Sequence, residues 1–201
     1  MRITELRQGV KNPDRVNVFV DEKYAFSLDI SQVIDFKIKI GMEISEERLA
    51  ELKAASDFGK LYQRALEWVL TRPRSERETR DYLYKKIFEK KLDKEYVDRI
   101  IEKLNSKNYL DDLKFAEWYV ENRFVKKGIS KKRLKMELMK KGVSNSIIEK
   151  VLNARNDEDE IKKMIEKKRN KYDDDKLIQY LCRQGFEYQL VQNLVQTFGK
   201  D

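Results

Sequence analysis

The chain has 201 residues, 40% of them charged, with two prolines, seven glycines, one cysteine and no histidine. That balance favours long, solvated helices over a β-rich or disordered protein. The missing histidine also removes the commonest general base, the histidine triads and the histidine-containing zinc sites, while a lone Cys182 allows neither an intrachain disulfide nor a four-cysteine metal site. The net charge of +8 is localised: residues 56–155 carry 26 Lys/Arg against 16 Asp/Glu, whereas residues 1–55 and 156–201 each carry 9 against 10. A basic centre between neutral ends predicts a localised footprint for nucleic acid or for an acidic protein surface.

In chain order, the first element is β-rich. Val16, Val18 and Val20 alternate with Asn17 and Phe19, Asp21-Glu22-Lys23 interrupts, and Tyr24, Phe26 and Leu28 resume the period of two, which predicts a hairpin. Ile3 and Leu6 supply a further strand and Gly41-Met42-Glu43-Ile44 a short return strand. Ser45-Glu46-Glu47 then starts a helix, with an N-cap residue followed by acids at the positive end of the dipole.

From about Ala54 the chain becomes a helical array that repeats itself. Leu138-Met139-Lys140-Lys141-Gly142 is followed by Ile147, Ile148, Val151 and Leu152; Leu181-Cys182-Arg183-Gln184-Gly185 is followed at the same distances by Leu190, Val191, Leu194 and Val195. Leu83-Tyr84-Lys85-Lys86 meets the same pattern at Tyr96, Val97, Ile100 and Ile101 once an insertion around Phe88 to Leu92 is allowed, and Asp93 then holds the cap position of Ser144. Ser75 and Ser130 each stand eight residues before the leucine of their copy and cap its middle helix, with Glu78 placed to complete a capping box. Gly142 and Gly185 are placed to end that helix in a left-handed conformation. Preceding helices at Leu61 to Leu70, Leu113 to Phe124 and Ile161 to Arg169 complete three-helix units, each too small to bury a large core alone. The expected fold is therefore mainly α: an elongated stack of three such modules behind a small β-rich cap, with a cap and leading helix over 1–55 and repeats over 56–104, 105–153 and 154–201.

The chemistry that this framework carries is electrostatic. Residues 123–141 hold Arg123, Lys126, Lys127, Lys131, Lys132, Arg133, Lys135, Lys140 and Lys141 against a single acid, Glu137. Lys131, Lys132 and Arg133 occupy the first turn after Ser130, where cations oppose the helix dipole at a cost of a few tenths of a kcal/mol each, so an anion supplied by a partner would relieve the conflict. These three are expected to be exposed. Arg72, Arg74, Arg77 and Arg80 form a second cluster, followed by Lys85 and Lys86; arginine forks suit phosphate and carboxylate, although Glu76, Glu78 and Asp81 are interleaved as possible surface pairs. Trp68, Trp118, Tyr82, Tyr84, Tyr109 and Tyr119 read mostly as core at helical spacing rather than as base-stacking platforms, and Cys182, aligned with Met139 and Tyr84, reads as a packing position. No Gly-x-x-x-x-Gly-Lys-Ser/Thr loop is present. Asp111-Asp112 and Asp157 to Glu160 fall at predicted helix starts, and Asp173-Asp174-Asp175 stands where the third middle helix should begin.

The run Arg72-Pro73-Arg74-Ser75-Glu76, then Asn108-Tyr109-Leu110-Asp111-Asp112 with Phe115-Ala116, then Lys127-Gly128 and Glu137 to Val143, resembles the successive signatures of the RecX regulatory proteins over roughly residues 60 to 195. The segment from Asp14 to Asp21 with Tyr24 to Ser27 is similar to the N-terminal extension of that family's longer members. The resemblance implies a non-enzymatic modulator without cofactor or metal. Its implied partners are the RecA recombinase filament, held in the filament groove, and single- or double-stranded DNA. The implied effect is inhibition of ATP hydrolysis, strand exchange and filament growth; a direct DNA-binding helical repeat is the alternative. No apolar run reaches the ~20 residues that span a bilayer, and Met1 to Glu5 lacks a signal-peptide core, so a cytoplasmic monomer is expected.

Overall fold

The computed structural model describes residues 1–10 and 12–198, with every side chain among them except those of residues 124–127. Lys126 and Lys127, two of the expected cations, therefore have side chains outside the described set. Packing divides the chain into two units, one of Met1–Leu70 with Tyr82–Lys103, the other of Thr71–Asp81 with everything from Leu104 onward.

The first unit opens with a three-stranded antiparallel sheet in the order β1 (Ile3–Gln8), β2 (Arg15–Val20), β3 (Lys23–Asp29). Asp21 and Glu22 both take positive φ, at 47° and 65°, which gives the β2–β3 hairpin the twist that a two-residue connection needs. Side chains support this turn: Asp21 Oδ1 accepts from the Arg2 N–H at 2.8 Å and Thr4 Oγ1 from the Glu22 N–H at 3.0 Å. The period of two puts Val18, Val20, Phe26 and Leu28 in the core with Ile3. The expected return strand is instead a single bridge, Arg2 to Glu43, flanked by backbone bonds from Ile3 to Met42 and from Ile44 to Met1. A short helix, α1 (Ile30–Asp35), follows the hairpin directly, closed by a capping box between Asp29 and Gln32.

The helix starting after Ser45 is one uninterrupted rod, α2 (Glu46–Leu70), so the leading helix and the first helix of the first repeat are the same element. Ser45 Oγ accepts from the Arg48 N–H, as the sequence predicts. The helix lies against the sheet through small residues. Ser56 Oγ donates to the Ser27 carbonyl at 2.6 Å, and a Cβ at Gly59 would meet the Gln32 side chain at 2.9 Å. Its second half carries buried Leu61, Ala65 and Val69. It stacks Trp68 on Tyr82 of α3 (Glu76–Lys90) and sets Phe58 edge-on to Tyr96 of α4 (Glu95–Ser106).

In the second unit, α5 (Asp112–Lys127), α6 (Lys131–Lys140) and α7 (Asn145–Leu152) share a core of Phe115, Ala116, Ile129, Leu134, Leu138, Val143, Ile148 and Leu152. The helices α8 (Asp157–Lys168), α9 (Asp174–Arg183) and α10 (Tyr188–Thr197) share another, built on Ile161, Ile165, Leu177, Leu181, Val191 and Val195. The repeat register holds: Leu83, Leu138 and Leu181 are all fully buried. Gly142 and Gly185 have φ of 82° and 93° and end α6 and α9 as predicted. No helix among the described residues is long and apolar enough to cross a membrane.

Candidate interaction surface on the middle helices

The middle helices α3 and α6 hold most of the expected binding residues, and the start of each is held in place by the module that follows it. Asp112, the first residue of α5, accepts from the Glu76 N–H at the start of α3, at 2.9 Å. Asp157, the first residue of α8, accepts from the Lys131 N–H at the start of α6, at 2.8 Å. A second contact repeats alongside the first. A Cβ at Gly142 would lie 2.7 Å from Arg77 Cβ, and one at Gly185 would lie 2.6 Å from Ser130 Oγ, so the glycine ending one middle helix abuts the start of the preceding one.

This geometry corrects the expectation for the first turn of α6. The anion that relieves Lys131, Lys132 and Arg133 comes from within the chain: Asp157 holds one N–H and Ser130 Oγ accepts from the Arg133 N–H. The dipole conflict therefore demands no external ligand. Nor is Arg133 a free cation. It is half-buried, donates to the Arg183 carbonyl at 2.7 Å and stands 3.5 Å from Glu137.

Several other cations are likewise engaged. Arg123 makes two bonds to Glu137, at 2.9 and 2.7 Å, and Tyr119 donates to the same carboxylate. Burial pushes the Glu137 carboxyl up, but the bonds from Arg123 and Tyr119 outweigh it and hold its pKa below the ordinary range. Lys141 and Arg72 converge in the same way on Glu78, at 2.5 and 3.2 Å, and Arg72 also covers the Trp118 ring at 4.8 Å. Glu78 thus completes no capping box. Its N–H is held by Ser75 Oγ, while its carboxylate faces Arg72 and Lys141. Arg80 pairs with Glu76 at 2.8 Å, Arg74 donates to Thr71 Oγ1, and Lys86 pairs with Glu89. The stem of Arg77 lies under Gly142, although the residue as a whole is exposed.

Of the expected cations on the middle helices, Arg77 and Lys85 on α3 and Lys132, Lys135 and Lys140 on α6 are exposed, with Lys131 half-exposed. Lys135 reaches only Glu149, at 3.9 Å. Tyr84 on α3 and Met136 and Met139 on α6 are also exposed, at 45%, 50% and 48%. The row of Tyr84, Met139 and Cys182 is therefore not a packing row: two of its members are exposed and Cys182 is half-buried, its thiol pushed up by desolvation. Sequence reasoning missed that an exposed apolar residue precedes an exposed cation at Tyr84-Lys85 on α3 and at Met139-Lys140 on α6. Within the second unit α6 and α9 form a groove of about 500 Å³ floored by Met136, Cys182 and Phe186 and edged by Lys132, Lys140 and Arg183.

The other aromatics divide. Trp118 and Tyr119 pack on Phe115, whereas Tyr109 is 42% exposed. The carboxylate clusters are structural. Asp111 accepts from the Leu113 and Lys114 N–H groups, Asp173 caps α9 by accepting from the Lys176 N–H, and Asp174 lies 3.5 Å from Arg169.

Comparison with known proteins agrees with this architecture in the N-terminal sheet and in the α5–α7 module. Residues 1–45, the sheet and α1, match the model of the regulatory protein RecX N-terminal domain, and residues 111–152, the α5–α7 module, match that of the RecX second three-helix domain. The regulatory protein RecX of Bacillus pumilus is 30% identical over 96% of this chain and 76% of its own length; that of Bacillus velezensis is 36% identical over 76% of this chain and 56% of its own. A crystal structure of regulatory protein RecX superposes with a TM-score of 0.71 at 25% identity, over 97% of this chain and 98% of that one. RecX from Lactobacillus salivarius shares the fold, with a TM-score of 0.55 at 24% identity, over 71% of this chain and 96% of that one. Sheet, tandem helical modules and sequence agree, and the chain belongs to the RecX family of regulatory proteins.

Proposed function

We propose that this protein binds the groove of the RecA nucleoprotein filament and inhibits its ATPase, strand exchange and growth, using the exposed cations of its middle helices, with DNA contact as an accessory. The observation that carries the reading is the state of Lys132 and Lys140. In a segment where Arg123, Arg133 and Lys141 are bonded inside the chain, these two stand exposed beside Met136 and Met139 and form no ion pair among the described residues. A solvated lysine face gains nothing from exposed methionines. A face that meets a protein–nucleic acid polymer uses both, the cations against phosphate or carboxylate and the thioethers against an adaptable apolar surface. Family membership supplies the class of partner, and regulation by binding needs no catalytic group.

The test is an ATPase titration of the cognate recombinase on single-stranded DNA. Inhibition at substoichiometric protein would favour a block of filament growth, stoichiometric inhibition would favour groove occupation, and unchanged hydrolysis at saturating protein would defeat the proposal. The excess of cations in residues 56–155 favours a second reading, a direct DNA binder. That reading requires tight binding to bare DNA that falls steeply with salt, rather than preference for recombinase-coated DNA.

A further inference from the structure

The first repeat differs from the other two at one place. Its middle helix, α3, has 15 residues where α6 and α9 have 10. The additional turn ends on Lys91, which takes a φ of 53° where the other copies use glycine. The extension packs nothing inward at its tip. Phe88 is 88% exposed, and with Tyr84, Ile87 and Leu92 it lines an apolar hollow bordered by Lys91 and Lys94.

We infer that the end of α3 is a docking site for an acidic protein segment carrying a bulky apolar anchor. Phe88 and the aliphatic floor of Ile87 and Leu92 would take the anchor, and the lysines its flanking carboxylates. Three observations converge. Phe88 does not stand alone in water: it is grouped with Tyr84, Ile87 and Leu92 in one apolar hollow, and clustered apolar residues at the surface mark contact sites. The rim is one-sided in charge: Lys91 and Lys94 border the hollow and are exposed, and the nearby Asp93 carboxylate is turned to the Glu95 N–H. Finally, a non-glycine residue is kept in the left-handed region at Lys91, which places a cation on the rim at the expense of backbone freedom. The aliphatic Ile87 and Leu92 between the rings favour a side chain as occupant, while Tyr84 and Phe88 would also stack a base, so the test carries an oligonucleotide arm. The proposal is independent of the recombinase reading and is tested without a filament.

The probe is a fluorescein-labelled hexapeptide with a Leu-Phe pair between glutamates, titrated with the full chain and read by anisotropy. It should bind with micromolar affinity that weakens as salt rises. Phe88→Ala should weaken it at least five-fold, as should replacing its Leu-Phe pair by serines. Lys91→Gly combined with Lys94→Gln should also weaken it several-fold while leaving the melting transition in place, since glycine suits the backbone at 91 better than lysine does. Failure of the peptide to bind, equal binding to Phe88→Ala, or equal binding of the serine peptide would each overturn the proposal. So would an oligothymidine whose affinity depends on Phe88 while the peptide's does not.

Discussion

Three cations in the first turn of a helix are tolerated when the helix start is capped by an anion, and at α6 that anion is Asp157. Its removal exposes the conflict. Asp157→Ala should cost about 1 to 2 kcal/mol in a denaturant titration, the scale of a lost helix cap that also balanced charge. Asp175→Ala, in the first turn of α9 but not the cap itself, should cost only a few tenths. Equal effects would mean that Asp157 is an ordinary first-turn acid. Glu137 and Glu78 give the pH dependence. Their pKa values lie below the ordinary carboxylate range in the folded chain, because the bonds from Arg123 and Tyr119, and from Lys141 and Arg72, outweigh the effect of burial. Between that lowered value and the unfolded value of about 4.3 the unfolded chain binds more protons, so the stability they contribute is complete above the unfolded value and is lost as pH falls through the folded one. Asp112 runs the other way: burial raises its carboxyl, so the folded chain binds the extra proton above the unfolded value of about 3.9 and stability is lost as pH rises through the folded one. Melting temperatures from pH 6 to pH 3 should therefore fall less steeply in Glu137→Gln than in the parent, from a lower starting value; parallel curves would show that the Arg123–Glu137 pair carries no linkage.

At the scale of elements, most of the helical array was legible because its signals are local. Capping serines, terminal glycines and the leucine of each middle helix lie within one turn or two of the feature they specify, and Ser130, Gly142 and Leu138 all stand where the pattern put them. The departures are tertiary. The segment at Gly41 to Ile44 has strand composition but meets only the end of β1, and α1 was hidden because six residues give too little periodicity to read. Bonds that reach into the next module, Asp157 to Lys131 or Lys141 to Glu78, have no signature in a single sequence, so the charge run 123–141 looked uniform although Arg123, Arg133 and Lys141 are bonded within the chain. The glycine contact tests that inter-module geometry. Gly142→Ala places a Cβ 2.7 Å from Arg77 at a φ of 82°, and both strain and overlap should cost about 1 to 3 kcal/mol. In Gly142→Ala/Arg77→Gly the steric share should return and the conformational share should not. Leu138→Asp, by contrast, buries a charge in the α5–α7 core and should abolish a cooperative melting transition for that module.

For the molecule as a regulator, what matters is which charges the fold leaves over once its own pairs are made. Replacing Lys131, Lys132 and Arg133 together would confuse folding with binding, since Arg133 joins α6 to the Arg183 carbonyl. The informative variant is Lys132→Glu/Lys135→Glu/Lys140→Glu, three exposed positions on one helix, where like charges also give way to acids that suit solvent equally well. Its melting temperature should stay within a few degrees of the parent, because exposed substitutions of this kind usually stay within about 0.5 kcal/mol each. Inhibition of the recombinase ATPase should be lost. If those lysines meet phosphate, the salt dependence of binding to single-stranded DNA should also flatten, by roughly 2 in the log–log slope for three contacts at about 0.7 each. If they meet carboxylates of the recombinase, the slope on bare DNA should stay unchanged while affinity for coated DNA falls. A folded variant that still inhibits fully would place the working surface elsewhere, and Arg77 and Lys85 on α3 would be the next face to charge-reverse.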